Sequence, residues 1–455
     1  MWFLPSGFPE YSPTEQAVFD RVKSIIEEHY KSFGYSHIYT PAVESNKVLL
    51  AKSWQETSKQ IFWLYGLGNI KDRENKFKWS FDTLWENFHD KEVDWKVTAE
   101  NMKKKLTEGL YDLEKWVIKD YSLHFDLTIP FARYILDHEN EITFPFKRYQ
   151  MQPVWRGERS QRGRFREFWQ CDIDTVWRAD SKDQMLFYDA ETLIVIANVF
   201  EDIRKNYLKW KSISIHYNDR KFLAKLLDHY TNKTDLYSLF DKYYKIGKEK
   251  FDQELINLVG ETESNKIQKQ LSNPEKNPEL LELEENIKKL NTQKLKIIFD
   301  PFITRGLDYY TGMVYETFLD DDMWLWSISS GGRYENLTTY IDSKRNFSWV
   351  GWSIWISRLM ALIFENGEWS KQTTTNYLCI NFKETFGDIC NIAQKLRKEN
   401  NNVEIYPSAD KLGKQFWYAD KKGIPLVIIL GEWEKKEWIY KIKDMIAGTE
   451  TIHKI

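Results

Sequence analysis

Glycine is scarce in this sequence, with 20 residues in a chain of 455, whereas an average soluble protein has about 7 % glycine. Tryptophan is as frequent as glycine, also at 20 residues, which is far above its usual share. The combined frequency of the two residues is ordinary, so the shortage of one mirrors the excess of the other. Any explanation of the tryptophans therefore has to explain the missing glycines as well.

The cysteine pattern of a metal site or of a disulfide-stapled secreted domain is also absent. The three cysteines, Cys171, Cys379 and Cys390, have neither spacing. No apolar run approaches the length of a membrane span, and the N-terminus has no basic stretch followed by an apolar core. We therefore expect a cytoplasmic protein with no membrane segment and no metal site of its own.

Charge of one sign does not dominate the chain either. The formal net charge is -3, which argues against a uniformly basic surface but leaves room for a local basic groove. The length suffices for two or three domains with a core that needs no covalent staples.

Hydrophobic patterning predicts an α+β fold. Between residues 121 and 177, strand-like runs alternate with arginine-rich turns and show no parallel βαβ rhythm, which indicates an antiparallel sheet with flanking helices. The charged segment 240–298 has helical spacing and predicts a helical insertion, and the irregular polar segment 66–115 predicts a surface insertion. We expect residues 1–364 to form one large domain that contains both insertions.

The C-terminal segment has a clearer rhythm. Strand-like runs at 377–382, 403–407 and 426–430 alternate with helical patterns at 388–399 and 410–423. This βαβαβ order predicts a separate α/β domain over residues 377–455, with the polar segment 365–376 as its linker.

One stretch, RGERSQRGRFREFWQCDIDTVW (156–177), combines three kinds of side chain. Five arginines are interleaved with Phe165 and Phe168, and Asp172 and Asp174 follow at strand spacing. Arginine forks bind phosphate in a bidentate manner, and an aromatic ring can stack on a purine or on an arginine. The alternative, a solvated charged hairpin, does not explain the order of arginines, aromatic rings and acids.

Three later stretches carry further signals. TRGLDYYTG (304–312) places an arginine and a glycine beside two tyrosines, and SISSGGRYENL (327–337) contains a Gly-Gly pair that allows close backbone approach. SWVGWSIWISRL (348–359) has tryptophans at i, i+3 and i+6, a spacing that one stripe of a buried helix would also give. It includes Arg358, a charge in an apolar run that needs an anion or a partner. The sequence contains no phosphate-binding glycine loop and no HExxH or GxSxG motif.

Together these stretches resemble the histidyl-tRNA synthetase family of class II aminoacyl-tRNA synthetases. Residues 156–177 are similar to the second class motif of that family, and residues 304–312 to its histidine-specific loop. The stretches 327–337 and 348–359 are similar to its glycine-containing strand and third class motif.

Shorter matches extend the resemblance over most of the chain. Pro41 in IYTPAVE resembles the first-motif proline at the dimer interface, and DLT (126–128) and YPSADKLGKQF (406–416) match as well. The resemblance implies a class II antiparallel-sheet catalytic domain followed by an anticodon-binding domain. It also implies a homodimer that activates L-histidine with ATP and transfers it to tRNA(His).

The resemblance further implies roles for individual residues. Arg305 and Arg156 would be catalytic, and Mg²⁺ would accompany the ATP phosphates. The residues expected around histidine are Asp126, Leu127, Thr128, Gln170, Asp174, Arg305, Tyr309 and Tyr310. The residues expected around ATP are Arg156, Glu158, Phe168 and Arg358. On the predicted hairpin, Arg162 and Arg164 would approach the acceptor stem of the tRNA.

The tryptophans depart from the family pattern. The family has glycine where this sequence has Trp177, Trp326, Trp349 and Trp355, and commonly also at Trp54, Trp63 and Trp352; Trp438 follows the same trend. We hypothesise that an organism reading UGA as glycine would give this pattern if its gene were translated with UGA as tryptophan. Indoles where backbone meets ligand would overpack the site.

Two functions other than a synthetase stay open from the sequence. A catalytically silent paralogue that senses histidine or tRNA would tolerate tryptophans in the site, although such relatives tend to lose the arginines, the histidine loop or the last domain. An amino-acid ligase that acts without tRNA would not need an anticodon-like domain.

Overall fold

The computed structural model describes residues 4–51, 60–64, 121–178, 182–209, 211–291, 295–304, 310–319, 327–365 and 373–455. The predicted surface insertion 66–115 lies outside these residues. No helix in the described ranges is long and apolar enough to cross a membrane. The chain divides into two compact units, one formed by Met1–Pro9, Glu28–Arg204 and Lys209–Leu359 and the other by Glu10–Glu27, Lys205–Leu208 and Met360–Ile455.

Strands are numbered in chain order. They are β1 (Ser36–His37), β2 (Val43–Ser45), β3 (Phe62–Trp63), β4 (Tyr121–Leu123), β5 (Phe146–Trp155), β6 (Glu167–Trp177), β7 (Ile213–Asp219), β8 (Lys296–Phe299), β9 (Met313–Leu319), β10 (Ser329–Tyr334), β11 (Ser348–Trp355), β12 (Tyr377–Cys379), β13 (Val403–Ile405), β14 (Leu426–Ile429), β15 (Ile439–Asp444) and β16 (Glu450–Lys454).

Helices are numbered in the same way. They are α1 (Pro13–Ser32), α2 (Asn46–Leu49), α3 (Thr128–His138), α4 (Lys182–Tyr207), α5 (Arg220–Leu227), α6 (Lys233–Asp241), α7 (Tyr243–Ile246), α8 (Lys248–Val259), α9 (Glu261–Ser272), α10 (Pro278–Leu290), α11 (Ile356–Glu365), α12 (Phe386–Lys398), α13 (Leu412–Lys422) and α14 (Glu432–Lys436), with short 3-10 turns at Thr338–Tyr340 and Lys383–Thr385.

A large sheet organises the first unit, with strand order β1-β5-β6-β11-β10-β9-β7-β8. All pairs from β5 to β7 are antiparallel, which confirms the predicted antiparallel core. The outer pairs β1/β5 and β7/β8 are parallel, so the sheet as a whole is mixed. Parallel neighbours need a long crossover, and helices α5 to α10 lie in the connection from β7 to β8.

The two faces of the large sheet carry different helices. On one face, Asp189 of α4 pairs with Arg333 of β10, and Tyr188 of α4 contacts the Trp177 ring of β6. On the other face, Phe131 of α3 packs edge-on against Trp349 of β11. The first turn of α3 therefore lies on the face of the sheet opposite α4.

Helices α5 to α10 have a hydrophobic core of their own. Phe240 of α6 and Phe251 of α8 pack edge-to-face with 5.3 Å between ring centres, and Leu236 and Leu255 are fully buried beside them. Helix α10 begins at Pro278, and the side chain of Asn277 caps it by accepting a hydrogen bond from the Leu280 amide. The charged sequence thus forms helices whose apolar faces meet one another.

The second unit contains a sheet with the order β13-β12-β14-β15-β16. Its first three strands are parallel and are linked by α12 and α13, which confirms the predicted βαβαβ order. Gly423 ends α13 in the left-handed conformation at φ 70°. Strands β15 and β16 extend the sheet as an antiparallel hairpin that the sequence did not reveal.

Candidate active site

A cavity of about 260 Å³ lies on the α3 face of the large sheet. Strands β6, β10 and β11 and the start of α3 supply most of its wall. The lining residues are Asp126, Thr128, Arg156, Gln170, Asp172, Asp174, Tyr310, Ser330, Tyr334, Gly351, Trp352, Ser353 and Trp355.

The Asp-Leu-Thr segment forms the start of α3. Asp126 accepts a hydrogen bond from the Ile129 amide at 3.1 Å, so its carboxylate satisfies one free amide of the first helical turn. Burial raises the pKa of Asp126, while that amide and Arg156 oppose the rise. Thr128 also lines the cavity, whereas the Leu127 side chain is fully buried and anchors the turn.

Asp174 is held between two partners that the sequence did not identify. Arg148 of β5 forms an ion pair with it at 2.6 Å, and the Tyr334 hydroxyl donates to its other oxygen. Neither Arg148 nor Asp174 is exposed by more than 3 % of its side chain. Burial raises the pKa of Asp174, and the Arg148 guanidinium opposes this rise. The contacts fix the Asp174 carboxylate against the sheet.

Gln170 and Asp172 precede Asp174 on the same face of β6. The Gln170 amide donates to the Ser353 hydroxyl of β11 at 2.8 Å. Burial raises the pKa of Asp172 to about 6, although Arg148 and the Ser353 hydroxyl lower it. The cavity thus has a row of three polar side chains along one strand.

Arg156 brings a cation to the row of acids. Its Nε donates to the Phe125 carbonyl at 3.1 Å, and its guanidinium lies 5.0 Å from the centre of the Phe168 ring. Burial lowers the pKa of Arg156, and the nearby Asp126 carboxylate opposes the shift. Phe168 is not part of the cavity lining, but its ring makes a cation–π contact with the Arg156 guanidinium.

The connection between β5 and β6 is the arginine-rich hairpin. Glu158 forms an ion pair with Arg164 at 3.2 Å and accepts from Arg166 through its backbone carbonyl. Arg162 lies next to Gly163, which has a left-handed φ of 68°. The hairpin therefore has internal contacts and presents Arg162 and Arg164 near its tip.

Arg358 reaches this hairpin rather than the cavity. Its Nε donates to the Gly163 carbonyl at 3.0 Å and its guanidinium donates to the Ser327 carbonyl at 2.6 Å. The guanidinium lies 4.5 Å from the ring of Trp355, which does line the cavity. Arg358 therefore contacts a lining residue of the cavity but does not itself line it.

The predicted tyrosine loop is described only at its end. Tyr310 lines the cavity and lies 6.3 Å from the Tyr334 ring. Arg305 and Tyr309 lie outside the described residues, as do Trp54 and Trp326.

The three tryptophans of the stretch 348–359 lie in strand β11, so the helical stripe that their spacing allows is wrong. Pairing with β6 and β10 fixes an extended backbone. In a strand, Trp349 and Trp355 point to the cavity face and Trp352 to the opposite face. Trp349 is fully buried with its ring 5.6 Å from that of Tyr334, and Trp352 stacks on Tyr315 at 5.1 Å.

Glycine is indispensable between these tryptophans. A Cβ atom at Gly351 would lie 2.8 Å from the Tyr334 hydroxyl and would overlap the Asp174 carboxylate. Gly331 lies directly opposite Trp352 in the β10/β11 pair, and a Cβ there would overlap the backbone of β11. Gly351 thus leaves room for the side chains of Asp174 and Tyr334, and Gly331 leaves room for the backbone of the paired strand.

Sequence reasoning missed Arg148 and Tyr334 as site residues, and it named Asp172 beside Asp174 without giving it a role. A signal was available for Arg148, because Arg148, Gln150 and Gln152 alternate along a strand where an apolar face would be usual. All three are buried. No local pattern distinguishes Tyr334 from an ordinary core tyrosine.

Comparisons with known proteins show the family of this chain. The profile of the family described as Histidyl-tRNA synthetase matches residues 118–359, and that of the Anticodon binding domain matches residues 378–453. The chain is 32 % identical to a histidine–tRNA ligase of Christiangramia forsetii, with 98 % of this chain and 96 % of that protein covered. It is 33 % identical to the histidine–tRNA ligase of Clostridium tetani over 98 % and 94 % of the two chains.

Solved structures agree as well. The histidyl-tRNA synthetase from a Nostoc species superposes with a TM-score of 0.78 at 28 % identity, covering 100 % of this chain and 97 % of the other. A Bacillus halodurans protein described as an ATP phosphoribosyltransferase regulatory subunit/histidyl-tRNA synthetase has the same fold, with a TM-score of 0.62 at 16 % identity, over 91 % and 96 % of the chains. The class is therefore that of synthetases with an anticodon-binding domain. Within it, the chain belongs to the histidyl-tRNA synthetase family.

Proposed function

We propose that the chain is a histidine–tRNA ligase, which joins L-histidine to ATP as histidyl-adenylate and then to the 3′ end of tRNA(His). The observation that carries this proposal is the single cavity in which Asp126, Thr128, Gln170 and Asp174 meet Arg156. Carboxylates and amides suit the ammonium and imidazole groups of histidine. A guanidinium at the edge of the same cavity suits the reacting phosphate.

Histidine would be held by the polar row and by the start of α3. Asp174 is already oriented by Arg148 and Tyr334, so its carboxylate can accept a hydrogen bond from an imidazole N–H without reorganisation. Tyr310, and Tyr309 beside it in sequence, would close over the ring. A site built to hydrogen-bond both ring nitrogens discriminates strongly against amino acids that lack them.

Activation joins the histidine carboxylate to the α-phosphorus of ATP. A carboxylate oxygen forms the new bond, the bond from the α-phosphorus to the bridging oxygen breaks, and pyrophosphate leaves with the bonding electrons. Arg156, together with Arg305, would stabilise the charge at the α-phosphate, and orientation supplies much of the rate. The adenine would lie near Glu158 and Phe168, with Arg358 at the γ-phosphate.

Magnesium would come with the phosphates of ATP. No cluster of three or more His, Cys, Asp or Glu side chains in the described ranges could hold a metal ion. Mg²⁺ typically keeps several waters and binds through substrate phosphates with one or two carboxylates. When bound, it would neutralise phosphate charge.

Transfer requires the tRNA to reach both units. The ribose hydroxyl of the terminal adenosine attacks the histidyl carbonyl, and AMP leaves. Arg162 and Arg164 near the hairpin tip would contact the acceptor stem, where phosphate contacts need only a local basic patch. We assign residues 1–364 to the catalytic domain, 365–376 to the linker and 377–455 to the anticodon-binding domain, in a cytoplasmic homodimer joined around Pro41.

The test is histidine-dependent exchange of pyrophosphate into ATP, followed by charging of tRNA(His). Arg156→Ala should lower kcat for exchange by about 10²–10³-fold, the loss typical of removing one transition-state donor. Arg178→Ala is the matched control, because Arg178 follows β6 and is 61 % exposed. Normal exchange in Arg156→Ala would remove Arg156 from the mechanism.

A second function is favoured by one observation. Trp355 lines the cavity, and its ring lies against Arg358, the residue expected at the γ-phosphate of ATP. That fits a catalytically silent paralogue that senses histidine or tRNA and regulates a partner. A silent paralogue binds histidine but shows no pyrophosphate exchange, so the exchange measurement separates the two functions.

A further inference from the structure

Trp438 has a backbone conformation that suits glycine. Its φ is 54°, in the left-handed region that L-residues other than Asn and Asp rarely adopt. It follows the end of α14, where glycine is the usual residue. Its side chain is 73 % exposed, so no packing of the indole holds the backbone there.

Three other tryptophans are buried without a hydrogen-bond partner. In the described part of the chain, the indole Nε1 atoms of Trp177, Trp349 and Trp352 contact no acceptor. Buried tryptophan usually finds one, because an unpaired N–H in the core is costly. Trp155 is part-buried and has such a partner, since its Nε1 donates to Glu167 at 2.7 Å.

Trp355 takes up space that the proposed substrates need. The cavity that it lines measures about 260 Å³, which is below the roughly 300–1,000 Å³ of pockets for a single drug-sized ligand. Histidine and ATP together are larger than one such ligand. The Trp355 ring also lies against Arg358, with 4.5 Å between the guanidinium and the ring centre.

We infer that the working polypeptide carries glycine at the positions of Trp177, Trp349, Trp352, Trp355 and Trp438. A UGA codon read as glycine in the organism and written as tryptophan in the sequence accounts for all five. It also explains why glycine is scarce and tryptophan abundant in the same sequence, with 20 residues of each. Tryptophans whose indole N–H has a hydrogen-bond partner, such as Trp155, are tryptophan in the working polypeptide as well.

Peptide masses of the protein from its native source test this inference. Trypsin releases NFSWVGWSIWISR (346–358), EWIYK (437–441) and, as an internal control, YQMQPVWR (149–156). We expect glycine masses at Trp349, Trp352, Trp355 and Trp438 and a tryptophan mass at Trp155. Tryptophan at any of the first four overturns the inference, and glycine at Trp155 overturns the criterion of indole satisfaction.

A pair of recombinant proteins tests the consequence. One has the sequence with tryptophan throughout, and the other carries W177G, W349G, W352G, W355G and W438G together. Exchange activity should be about 100-fold or more higher in the second protein, because even small misplacements in an active site cost that much. Equal exchange in both contradicts the inference. Glycine masses combined with no exchange in the second protein would instead reject the proposed ligase.

A separate observation concerns Asp172. It lines the cavity between Gln170 and Asp174 and is 2 % exposed. Its Oδ1 has no hydrogen-bond partner in the described residues. The Ser353 hydroxyl, directly across on β11, hydrogen-bonds the same carboxylate.

Within the part of the chain that the structure describes, three carboxylates share two cations around Asp172. The carboxylates of Asp126, Asp172 and Asp174 interact with the guanidinium groups of Arg148 and Arg156. Arg148 is committed to Asp174 by the ion pair at 2.6 Å. Arg156 is the cation that acts on Asp126. Asp172 is therefore the carboxylate without a cation of its own, and a buried charge needs one.

The geometry points to Asp172 as a histidine-binding residue that accepts a hydrogen bond from the α-ammonium group. This assignment rests on the proposed function, because it requires histidine in this cavity. The ammonium group would supply the missing positive charge, while Asp174 serves the imidazole. Asp172 would thus select for a free α-amino group.

Binding of two ligands to Asp172→Asn tests the assignment by titration calorimetry. Histidinol keeps the α-ammonium group, and 3-(imidazol-4-yl)propionate lacks it. Asp172→Asn should weaken histidinol about 10- to 100-fold, the range for a hydrogen bond to a charged group, and leave the propionate unchanged. Asp202→Asn, an acid 43 % exposed on α4, is the control and should change neither.

The outcomes separate the two proposals. Equal weakening of both ligands, or no weakening of histidinol, overturns the role of Asp172. If the unmodified protein binds neither histidine nor histidinol, the proposed function fails instead. The measurement uses the full chain with the residues that the peptide masses establish.

Discussion

Strands β6 and β11 are hydrogen-bonded neighbours in the same sheet, yet their side chains suit the cavity in different ways. Gln170, Asp172 and Asp174 of β6 lie opposite Trp355, Ser353 and Gly351 of β11. The β6 residues have partners or face the space where a charged ligand fits. Nearby on β11, the indoles of Trp349 and Trp352 have unpaired N–H groups.

This difference between β6 and β11 indicates which residues are consistent with the fold and which are not. Natural sequences are consistent at the level of residue, contact and fold, and a local conflict marks either a functional strain or a residue that does not belong. On β6 the buried charges are costly but have a chemical use. On β11 the indoles have a cost without a use that the structure reveals. Changes on the two strands should therefore have opposite consequences.

The largest effect is expected from removing the cation that supports β6. Arg148→Met leaves Asp174 as a buried charge without its partner, and breaking such a pair typically costs about 3–5 kcal/mol. Urea unfolding followed by circular dichroism measures the loss. Arg178→Met, which removes an exposed arginine after the same strand, should cost less than about 1 kcal/mol. A similar small loss in both variants would mean that β6 does not depend on Arg148.

Replacing Trp155 and Trp349 separately by glycine compares a tryptophan that has a hydrogen-bond partner with one that has none among the described residues. Trp155 donates to Glu167 and stacks on His124 at 5.5 Å, so Trp155→Gly should destabilise the fold by about 3–5 kcal/mol. Trp349→Gly removes a side chain of the same size that is fully buried, whereas Trp155 is part-buried, but it also removes an unpaired N–H that costs roughly 1–3 kcal/mol. That gain offsets part of the lost packing, so we expect Trp349→Gly to cost less than Trp155→Gly in the same unfolding experiment. A loss in Trp349→Gly as large as that in Trp155→Gly would mean that the indole of Trp349 belongs to the core.

The pH dependence of stability tests how much the buried Asp172 carboxylate of β6 destabilises the folded chain. Asp172 has a pKa of about 6 in the folded chain against 3.8 ordinarily. Because the folded state binds this proton more tightly, stability without ligand rises as pH falls from 7.5 through 6, and the gain is complete only below the unfolded-state pKa of 3.8. The shift of about two pKa units corresponds to about 3 kcal/mol at neutral pH.

Asp172→Asn isolates this contribution. The variant should be more stable than the parent by about 3 kcal/mol at pH 7.5 and equal to it at about pH 3. The Asp172 carboxylate also raises the pKa of Asp174, so the difference includes the relief of that repulsion. A constant difference across this range would show that Asp172 does not titrate with the fold.

The sequence predicts a helix or strand well where its apolar residues all lie on one face and pack into one hydrophobic core. Ile389, Ile392, Ala393 and Leu396 have helical spacing, and all four are buried in α12. The spacing of the β11 tryptophans failed because three residues fit both a helix and a strand, and only pairing with β6 decides between them. The parallel outer strands β1 and β8 depend on long crossovers, which local patterns do not record.

The site residues likewise fall into those that local sequence indicates and those that only the folded sheet brings together. The stretches with Asp126, Arg156, Gln170 and Asp174 stand out in the sequence, and the fold brings all four residues to one cavity. Their roles came from the family resemblance rather than from spacing. The partners of Asp174 come from positions 26 residues before it and 160 after it, at Arg148 and Tyr334. Such a contact exists only once the sheet is assembled.

The smallest effect is expected away from the cavity, where one exposed tryptophan can be compared with another. Trp438 is strained by its φ of 54°, which costs an L-residue roughly 1–2 kcal/mol and costs glycine nothing. Trp438→Gly should therefore stabilise the chain by about 1 kcal/mol. Trp417 is 60 % exposed within helix α13, where glycine is unfavourable by about 1 kcal/mol relative to alanine, so Trp417→Gly should destabilise it. If urea unfolding shows a gain for Trp438→Gly and a loss for Trp417→Gly, backbone conformation and not exposure distinguishes a misplaced tryptophan from a tolerated one. A loss of stability in both variants would instead indicate that the working polypeptide carries tryptophan at position 438.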